Sequence, residues 1–386
     1  MHILLGVSSG IAIYKTVDLV SKLRKENYDI DIVMTENAAK LVSPTVFSAV
    51  GNCNVYINTF DINHGWITHT DLSKKTDIFV LAPATANTIA KIANGLADNL
   101  LTTIALALPE KTPKVIVPTM NTRMYENPIT QKNLENLNKY GWYILEPDEG
   151  HLACGDIGKG RYPDNRKILE VIKFITSPKI LMNKKVLVTA GPTRENIDPI
   201  RFISNNSSGK MGYSMAKVAK RLGAYTCLIS GPTCLEKPHL IDEFIQVTSA
   251  NEMFNRVMER VTEYDLIIMT AAVADYKPKT VSNSKIKKVN SKLIVELERT
   301  KDILSEIGKN KKNNQIVVGF AAETENIIEY GKEKLKKKNA DYIVANNANE
   351  VMGKDSTKVY VISKDSIKEI EGSKEKVAEE IYKIII

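Results

Sequence analysis

Apolar positions in the first half of the chain fall into short continuous runs. Between the runs they recur every three or four residues. The runs at 3–7, 30–34, 77–82, 114–118 and 142–145 predict strands. The spacing of Ile13, Val17, Val20 and Leu23 predicts a helix over 11–25, and similar periods predict helices over 84–93, 99–108 and 129–140. Continuously apolar strands between amphipathic helices imply a parallel sheet covered on both faces. The pattern breaks at 176–185, where Ser177-Pro178 signals a turn. It then restarts, with strands at 185–190, 226–230, 266–271, 316–320, 342–345 and 359–362 and a closing helix at 374–385. The expected organisation is two Rossmann-like α/β domains, 1–180 and 181–386, with no residue-level repeat.

A length of 386 residues agrees with two cores. No apolar run reaches the roughly 18–20 residues of a membrane span. The start, Met1-His2-Ile3-Leu4-Leu5-Gly6, enters a strand directly and predicts no signal peptide. Four cysteines without a Cys-x-x-Cys pair make neither a disulfide framework nor a zinc pattern, so a reducing, cytoplasmic setting is expected. Net charge is +8; residues 1–180 contribute 19 − 18 = +1 and residues 181–386 contribute 34 − 27 = +7. That excess is either a lysine-rich surface or the counterpart of a partner with several phosphates. Nucleic acid is disfavoured, because aromatics are only 6 % and no stacking motif is present.

The first strand runs into Gly6-Val7-Ser8-Ser9-Gly10-Ile11-Ala12, a small, polar turn that opens a helix. Backbone N–H groups at such a helix start suit a phosphate; the alternative is a plain tight turn. Gly-x-Gly-x-x-Gly is absent, which favours a mononucleotide such as FMN over a dinucleotide. Pro83-Ala84-Thr85-Ala86-Asn87 lies at a strand's carboxyl end, where open α/β sheets bind ligands, although Thr85 or Asn87 also suits a helix cap. His69 precedes a helix and is either a proton carrier or a capping residue. Asn121, in Pro118–Tyr125, suits a carboxylate, with Met120 and Met124 beside it as packing residues. Cys154, in the glycine-rich stretch 152–161, is a thiol on a loop that can act as a lid.

Taken in order, these motifs resemble the homo-oligomeric flavin-containing cysteine decarboxylases, whose fold is flavodoxin-like. The resemblance implies FMN held by Ser8, Ser9, Gly10, Ile11, Thr35, Pro83, Ala84, Thr85 and Asn87. It implies His69 as base, Asn121 on the substrate carboxylate and Cys154 as proton donor. The implied substrate is 4′-phosphopantothenoylcysteine, whose oxidised thiol carbon acts as electron sink while CO₂ leaves. It also implies trimers with flavin at the subunit interfaces.

In the second half, Gly191-Pro192-Thr193-Arg194-Glu195 ends a strand, and Asp198–Gly212 leads into a helix. Ser207-Ser208-Gly209-Lys210 is not a P-loop, since no glycine stands five residues before Gly209. Its amides still suit an anion, and Asn205 is either a ligand group or a turn residue. Small residues at 270–274 allow backbone contact with a nucleotide, and Lys285-Ile286-Lys287-Lys288 is either a charge-neutralising loop or solvated surface. This half resembles phosphopantothenate–cysteine ligases along nearly its whole length, on Gly-Pro-Thr-Arg-Glu, 201–212, Ala-Ala-Val-Ala-Asp-Tyr, Lys-Ile-Lys-Lys and Gly-Phe-Ala-Ala-Glu-Thr. The resemblance implies CTP-driven formation of an acyl-cytidylate, then capture by cysteine. Lys285 would support the first step and Asn205 the second, with Arg201 shaping the substrate loop. Ala271, Ala272, Asp275, Lys301, Asp302, Ile303, Phe320, Lys334 and Lys338 would contact CTP, and Mg²⁺ is expected with the triphosphate. The family's Pro-Asp-Ile turn is here Lys301-Asp302-Ile303, which loses proline's fixed φ. Trimeric flavin sites and a dimeric ligase together predict a dodecamer with small-molecule substrates. The rivals are a two-domain NAD dehydrogenase, an electron-transfer flavoprotein and a peptidyl-cysteine decarboxylase. The missing dinucleotide fingerprint counts against the first, and the ligase half against the other two.

Overall fold

In a computed structural model that describes residues 1–60, 68–153, 155–288, 292–348 and 354–386, the apolar runs become parallel strands. The chain divides into two units, Met1–Thr176 and Ser177–Ile386. Both are α/β, as the pattern predicts.

In the first unit the sheet comprises β1 (His2–Val7), β2 (Asp29–Met34), β3 (Val55–Tyr56), β4 (Ile78–Ala84), β5 (Lys114–Pro118) and β6 (Trp142–Ile144). They are parallel, in the order β3-β2-β1-β4-β5-β6. Without the two-residue edge strand β3, this is the flavodoxin-type order. Ile3, Leu4, Leu5, Phe79, Val80 and Leu81 are fully buried because helices cover both faces. Burying each leucine stabilises the unit by roughly 1.5–3 kcal/mol. The order reverses between β1 and β4, which places a crevice at their carboxyl ends.

The helix after β1 is shorter than its apolar spacing suggests, Ile13–Lys25. Two tight turns, Gly10 N–H to Ser8 O (2.9 Å) and Ile13 N–H to Gly10 O (2.9 Å), consume the residues before it. Part of the glycine-rich stretch, 157–161, is strand rather than loop. It belongs to an antiparallel hairpin of β7 (Asp148–His151) and β8 (Ile157–Arg161). Glycines and charges alternate there without an apolar period, so the strands leave no hydrophobic signature.

The second unit contains β9 (Lys185–Ala190), β10 (Arg194–Asn196), β11 (Phe202–Ser204), β12 (Tyr225–Ser230), β13 (Glu243–Gln246), β14 (Leu266–Met269), β15 (Tyr276–Pro278), β16 (Leu297–Arg299), β17 (Ile316–Glu323), β18 (Tyr342–Asn347), β19 (Ser356–Ile362) and β20 (Ile367–Ser373). Its main sheet runs β13-β12-β9-β14-β17-β18-β19-β20, parallel up to β18 and antiparallel beyond. β10–β11 and β15–β16 are separate two-stranded ribbons. The closing helix Lys374–Ile385 buries Val377, Ile381, Tyr382 and Ile385. The Tyr382 hydroxyl donates to the Met215 carbonyl (3.1 Å), which satisfies a phenol that is fully buried. Among the described residues no helix is long and apolar enough to cross a membrane.

Helix Ile303–Asn310 approaches the end of helix Ile327–Lys338 so closely that a Cβ on Gly308 would lie 1.9 Å from the Lys338 carbonyl oxygen. Gly308→Ala is expected to force the two helices apart. The cost is about 3 kcal/mol of overpacking. That lowers the unfolding midpoint of this unit by roughly 6–12 °C, as read by differential scanning calorimetry.

Candidate functional site

In each unit several of the predicted residues lie near the carboxyl ends of the parallel strands, among them Ser8, Pro83, Ala84 and Thr85 in the first and Ala271 and Ala272 in the second. In the first unit, Ser8 ties β1 to β4. Its N–H (3.2 Å) and hydroxyl (2.8 Å) donate to the Pro83 carbonyl, and its oxygen accepts the Thr85 N–H (2.9 Å). Ser8 is 1 % exposed, so it forms the crevice wall rather than its face. The Ala82–Pro83 peptide is cis. Thr35 N–H donates to Val7 O (3.0 Å), and the Thr35 hydroxyl caps helix Glu36–Leu41. Thr119 N–H donates to Ala84 O (2.9 Å), joining the β5 end to the β4 end. Four strand ends thus meet around Ser9, Gly10 and Ile11.

That crevice fits a flavin mononucleotide. Helix Ile13–Lys25 begins at Ala12 with no side-chain cap; the Ile13 and Lys15 N–H groups bond the Gly10 and Ala12 carbonyls (2.9 Å each), so a phosphate would be met by the other N–H groups of this turn. Ile11 and Tyr14 are 66 % and 63 % exposed beside it, an apolar surface suited to a flat ring. A Cβ on Gly10 would reach Pro83 Cγ at 3.4 Å and narrow the crevice. Thr85 caps helix Ala86–Ala93, on which Asn87 is exposed and Ala84 lies buried at its base.

The side chain of Asn121 is oriented from both ends. Its Oδ1 accepts the Arg123 N–H (2.9 Å) and its Nδ2 donates to Asp156 Oδ2 (3.0 Å). Asp156 begins the return arm of the hairpin, which packs against 118–125 through Met120 N–H to Gly160 O (3.0 Å). A Cβ on Gly160 would lie 2.3 Å from Met120 O, and one on Gly158 2.6 Å from Thr122 Oγ1, so only glycine permits this approach. Cys154 lies outside the described residues, between Ala153 and Gly155. His69 stands half-buried in the first turn of helix Thr68–Lys75. The other cysteines are poorer proton donors where burial holds them. Desolvation pushes the Cys53 thiol up to about 11 and Cys227 to about 12, while Cys234 is exposed.

In the second unit two groups form around the ends of β9, β14 and β17. The first contains Asn205, Ala271, Ala272 and Arg201. Asn205 Nδ2 donates to the carbonyls of Ala272 (3.1 Å) and Val273 (3.3 Å). Ala272 N–H donates to Gly191 O (2.9 Å), and Ala271 N–H to Thr189 Oγ1 (3.3 Å). Gly212 lies against Ala190, where a Cβ would come within 2.5 Å of the alanine's own. Helix Lys210–Arg221 therefore starts directly over β9, capped only by the backbone of Gly209. Arg201 Nη2 donates to the Ile286 carbonyl (2.7 Å), next to the exposed Lys285.

The second group contains Asp275, Asp302, Ile303, Phe320, Lys334 and Lys338. Lys334 Nζ donates to Phe320 O (3.0 Å), and burial lowers its pKa. Lys338 pairs with Asp302, which caps helix Ile303–Asn310 through the Ser305 N–H (2.9 Å). Burial opposes ionisation of Asp302, but Lys338 and that N–H outweigh it and hold its pKa low. Thr300 N–H donates to Asp275 O (3.0 Å) and its hydroxyl to Ala274 O (2.6 Å), so the turn without proline is fixed by side-chain chemistry instead. Lys301 points elsewhere, its ammonium 4.4 Å from the centroid of the Phe254 ring. Sequence reasoning missed Asp198, which is 1 % exposed beneath Arg201. A buried aspartate within a polar, proline-containing turn gives no periodic signal.

Such strand-end crevices over uncapped helix starts mark nucleotide- and flavin-binding α/β proteins. The flavoprotein family model matches residues 1–177, and the model of the DNA/pantothenate metabolism flavoprotein C-terminal domain matches residues 181–386. The chain is 43 % identical over 388 residues to the coenzyme A biosynthesis bifunctional protein CoaBC of Borreliella burgdorferi, covering 100 % of this chain and 98 % of that one. It is 45 % identical over 374 residues to the CoaBC protein of Bacillus subtilis, covering 95 % and 91 %. A crystal structure of the C-terminal domain of a CoaBC protein is 45 % identical and covers 54 % of this chain and 96 % of its own, with a TM-score of 0.46. The chain belongs to the family of coenzyme A biosynthesis bifunctional proteins.

Proposed function

We propose that this chain makes 4′-phosphopantetheine in two steps, with residues 181–386 as a CTP-dependent phosphopantothenate–cysteine ligase and residues 1–180 as an FMN-dependent decarboxylase. The observation that carries the reading is the repeated device, a strand-end crevice under a helix start without a side-chain cap, in a chain related along its length to CoaBC proteins.

In the ligase, the carboxylate of 4′-phosphopantothenate attacks the α-phosphorus of CTP and pyrophosphate leaves. The amine of cysteine then attacks the acyl carbon, losing a proton as CMP departs. Backbone amides at 207–212 receive phosphate oxygens, and Lys285 neutralises charge on the departing pyrophosphate. Asn205 holds the acyl-cytidylate with Ala271 and Ala272, while Asp275, Asp302, Ile303, Phe320, Lys334 and Lys338 surround the nucleotide. Lys301 is the weakest of the CTP contacts, since Phe254 engages its ammonium. Among the described residues no group of three His, Cys, Asp or Glu is placed to hold a metal. Mg²⁺ is therefore assigned to the triphosphate oxygens themselves.

In the decarboxylase, Ser9, Gly10 and Ile11 receive the FMN phosphate, Thr35 and Asn87 border it, and Pro83–Thr85 back the ring. FMN, when bound, would take two electrons from the cysteinyl thiol and return them after CO₂ has left, so the reaction is redox-neutral overall. His69 takes the thiol proton, Asn121 holds the substrate carboxylate, and Cys154 donates a proton to the enethiol left by CO₂. The exposed Ile11 and Tyr14 favour closure of this site by a neighbouring subunit, in a dodecamer of decarboxylase trimers and ligase dimers. Free Cys53, Cys227 and Cys234 suit a cytoplasmic location.

The test is a coupled assay of the purified protein with 4′-phosphopantothenate, cysteine, CTP and Mg²⁺, read by mass spectrometry and a visible spectrum. Equal amounts of phosphopantetheine, CO₂ and CMP, with a bound-flavin spectrum, are expected. Flavin without amide would remove the ligase reading, with the turn at 300–303 as the first suspect.

A further inference from the structure

Lys285 stands on an irregular segment, 281–288, with an exposed side chain. A lysine that must meet a leaving group needs a fixed backbone, because its own stem has four rotatable carbons. The structure supplies that fixation at the next residue. Asp198 Oδ2 accepts the Ile286 N–H (3.1 Å), and Arg201 Nη2 donates to the Ile286 carbonyl (2.7 Å). Both polar groups of one residue are thus held by one acid–base pair.

The pair is itself rigid. Asp198 Oδ1 accepts the N–H groups of Ile200 and Arg201, each at 2.8 Å. Its Oδ2 accepts Arg201 Nε at 3.0 Å. The Ser282 N–H reaches the Ile197 carbonyl (3.0 Å), a second tie between the same two segments. Asp198 is buried, and the Arg201 guanidinium with these backbone donors holds its carboxyl well below the usual carboxylate range, so it stays ionised throughout ordinary assay conditions. The same turn leads on to Asn205, whose amide is fixed to the β14 end.

We infer that Asp198 is a positioning residue of the ligase: with Arg201 it clasps the backbone of Ile286 and so sets Lys285 against the departing pyrophosphate. The inference rests on the proposed role of Lys285. Asp198 itself meets no substrate. Charge repulsion is not its task either, since its charge is spent on Arg201 and backbone N–H groups. Removing it leaves the nucleotide pocket intact but lets the lysine wander, which costs rate and not binding.

The experiment measures steady-state pyrophosphate release from CTP and 4′-phosphopantothenate with cysteine and Mg²⁺, using the full chain. Asp198→Asn keeps the acceptor for Ile200 and Arg201 but points an amide at the Ile286 N–H. Its kcat should fall about 10²-fold, as for a reacting group displaced by roughly 1 Å. KM for CTP should stay within about threefold, the signature of an interaction made in the transition state. Asp198→Asn combined with Lys285→Ala should be no slower than Lys285→Ala alone, because both act through one ammonium. If Asp198→Asn does not fold, Arg201→Lys carries the same test, since lysine cannot span the carboxylate and the Ile286 carbonyl together. A folded variant with unchanged kcat, or losses that multiply with Lys285→Ala, would overturn the clasp while leaving the ligase reading standing. Normal pyrophosphate release by Lys285→Ala would remove the lysine's role first, and the clasp with it.

Discussion

Cys154→Ser is expected to leave amide synthesis untouched and to halt the pathway at 4′-phosphopantothenoylcysteine. A serine hydroxyl is a far weaker acid than a thiol, so protonation of the enethiol should slow by about 10²–10⁴-fold, the usual worth of a positioned proton donor. Ligation should not change, because the residues assigned to it belong to the second unit. Mass spectrometry would follow both acids and the thiol product, and the flavin spectrum would verify that the first unit is intact. The fold supports this strongly local effect. The hairpin of β7 and β8 is seated on 118–125 through Gly158 and Gly160 and through Asn121 with Asp156. Loss of both activities in a folded, flavin-loaded protein would reject the separation of the two chemistries.

Asn205→Asp carries the second large effect. Both hydrogens of Asn205 Nδ2 are directed at carbonyl oxygens, those of Ala272 and Val273. A carboxylate has no hydrogen to offer and would face two partial negative charges, so the side chain must turn away. The site is exposed, so water can replace the lost donor, and the effect expected is loss of the side chain's orientation rather than of stability. The acyl-cytidylate should therefore form and accumulate, with amide formation slowed about 10²-fold or more, on the scale of losing one preorganised donor. Rapid-quench analysis separates the two steps. Normal amide yield with no trapped intermediate would sink the assignment of Asn205.

Much of this was legible in the sequence because it rests on periodicity. Continuously apolar strands such as Ile78–Ala84 can only be buried on both faces, so the parallel sheets followed from the pattern. The crevices followed from the rule that ligands sit at strand ends. What could not be read has no period. The strands Asp148–His151 and Ile157–Arg161 are built of glycine and charge, and their pairing is visible only once Gly160 is seen against Met120. Strand Ile367–Ser373 alternates mostly among charged residues at a sheet edge, where burial does not select apolar side chains. The ties that Ser8 and Asp198 make were illegible for another reason. Their work is done through hydrogen bonds to residues 75 and 88 positions away, Pro83 and Ile286, and a single sequence does not display such distances. Lys301 has a neighbour that the sequence does not display, the Phe254 ring 4.4 Å from its ammonium.

The bare starts of helices Ile13–Lys25 and Lys210–Arg221 contrast with Thr85, Asn99, Ser249, Asp302 and Ser373, each of which caps its own helix. At Gly209 no capping residue can stand: its φ of +76° is left-handed, and a Cβ would lie 2.7 Å from Thr233 Cγ2. A capping side chain is thus excluded from that helix start by the backbone itself, and Gly209→Ser is expected to loosen this unit rather than tighten it. A ligand that binds only the folded unit would offset such a loss by mass action, so the supply of flavin or nucleotide bears on how long the chain lasts as well as on how fast it turns over.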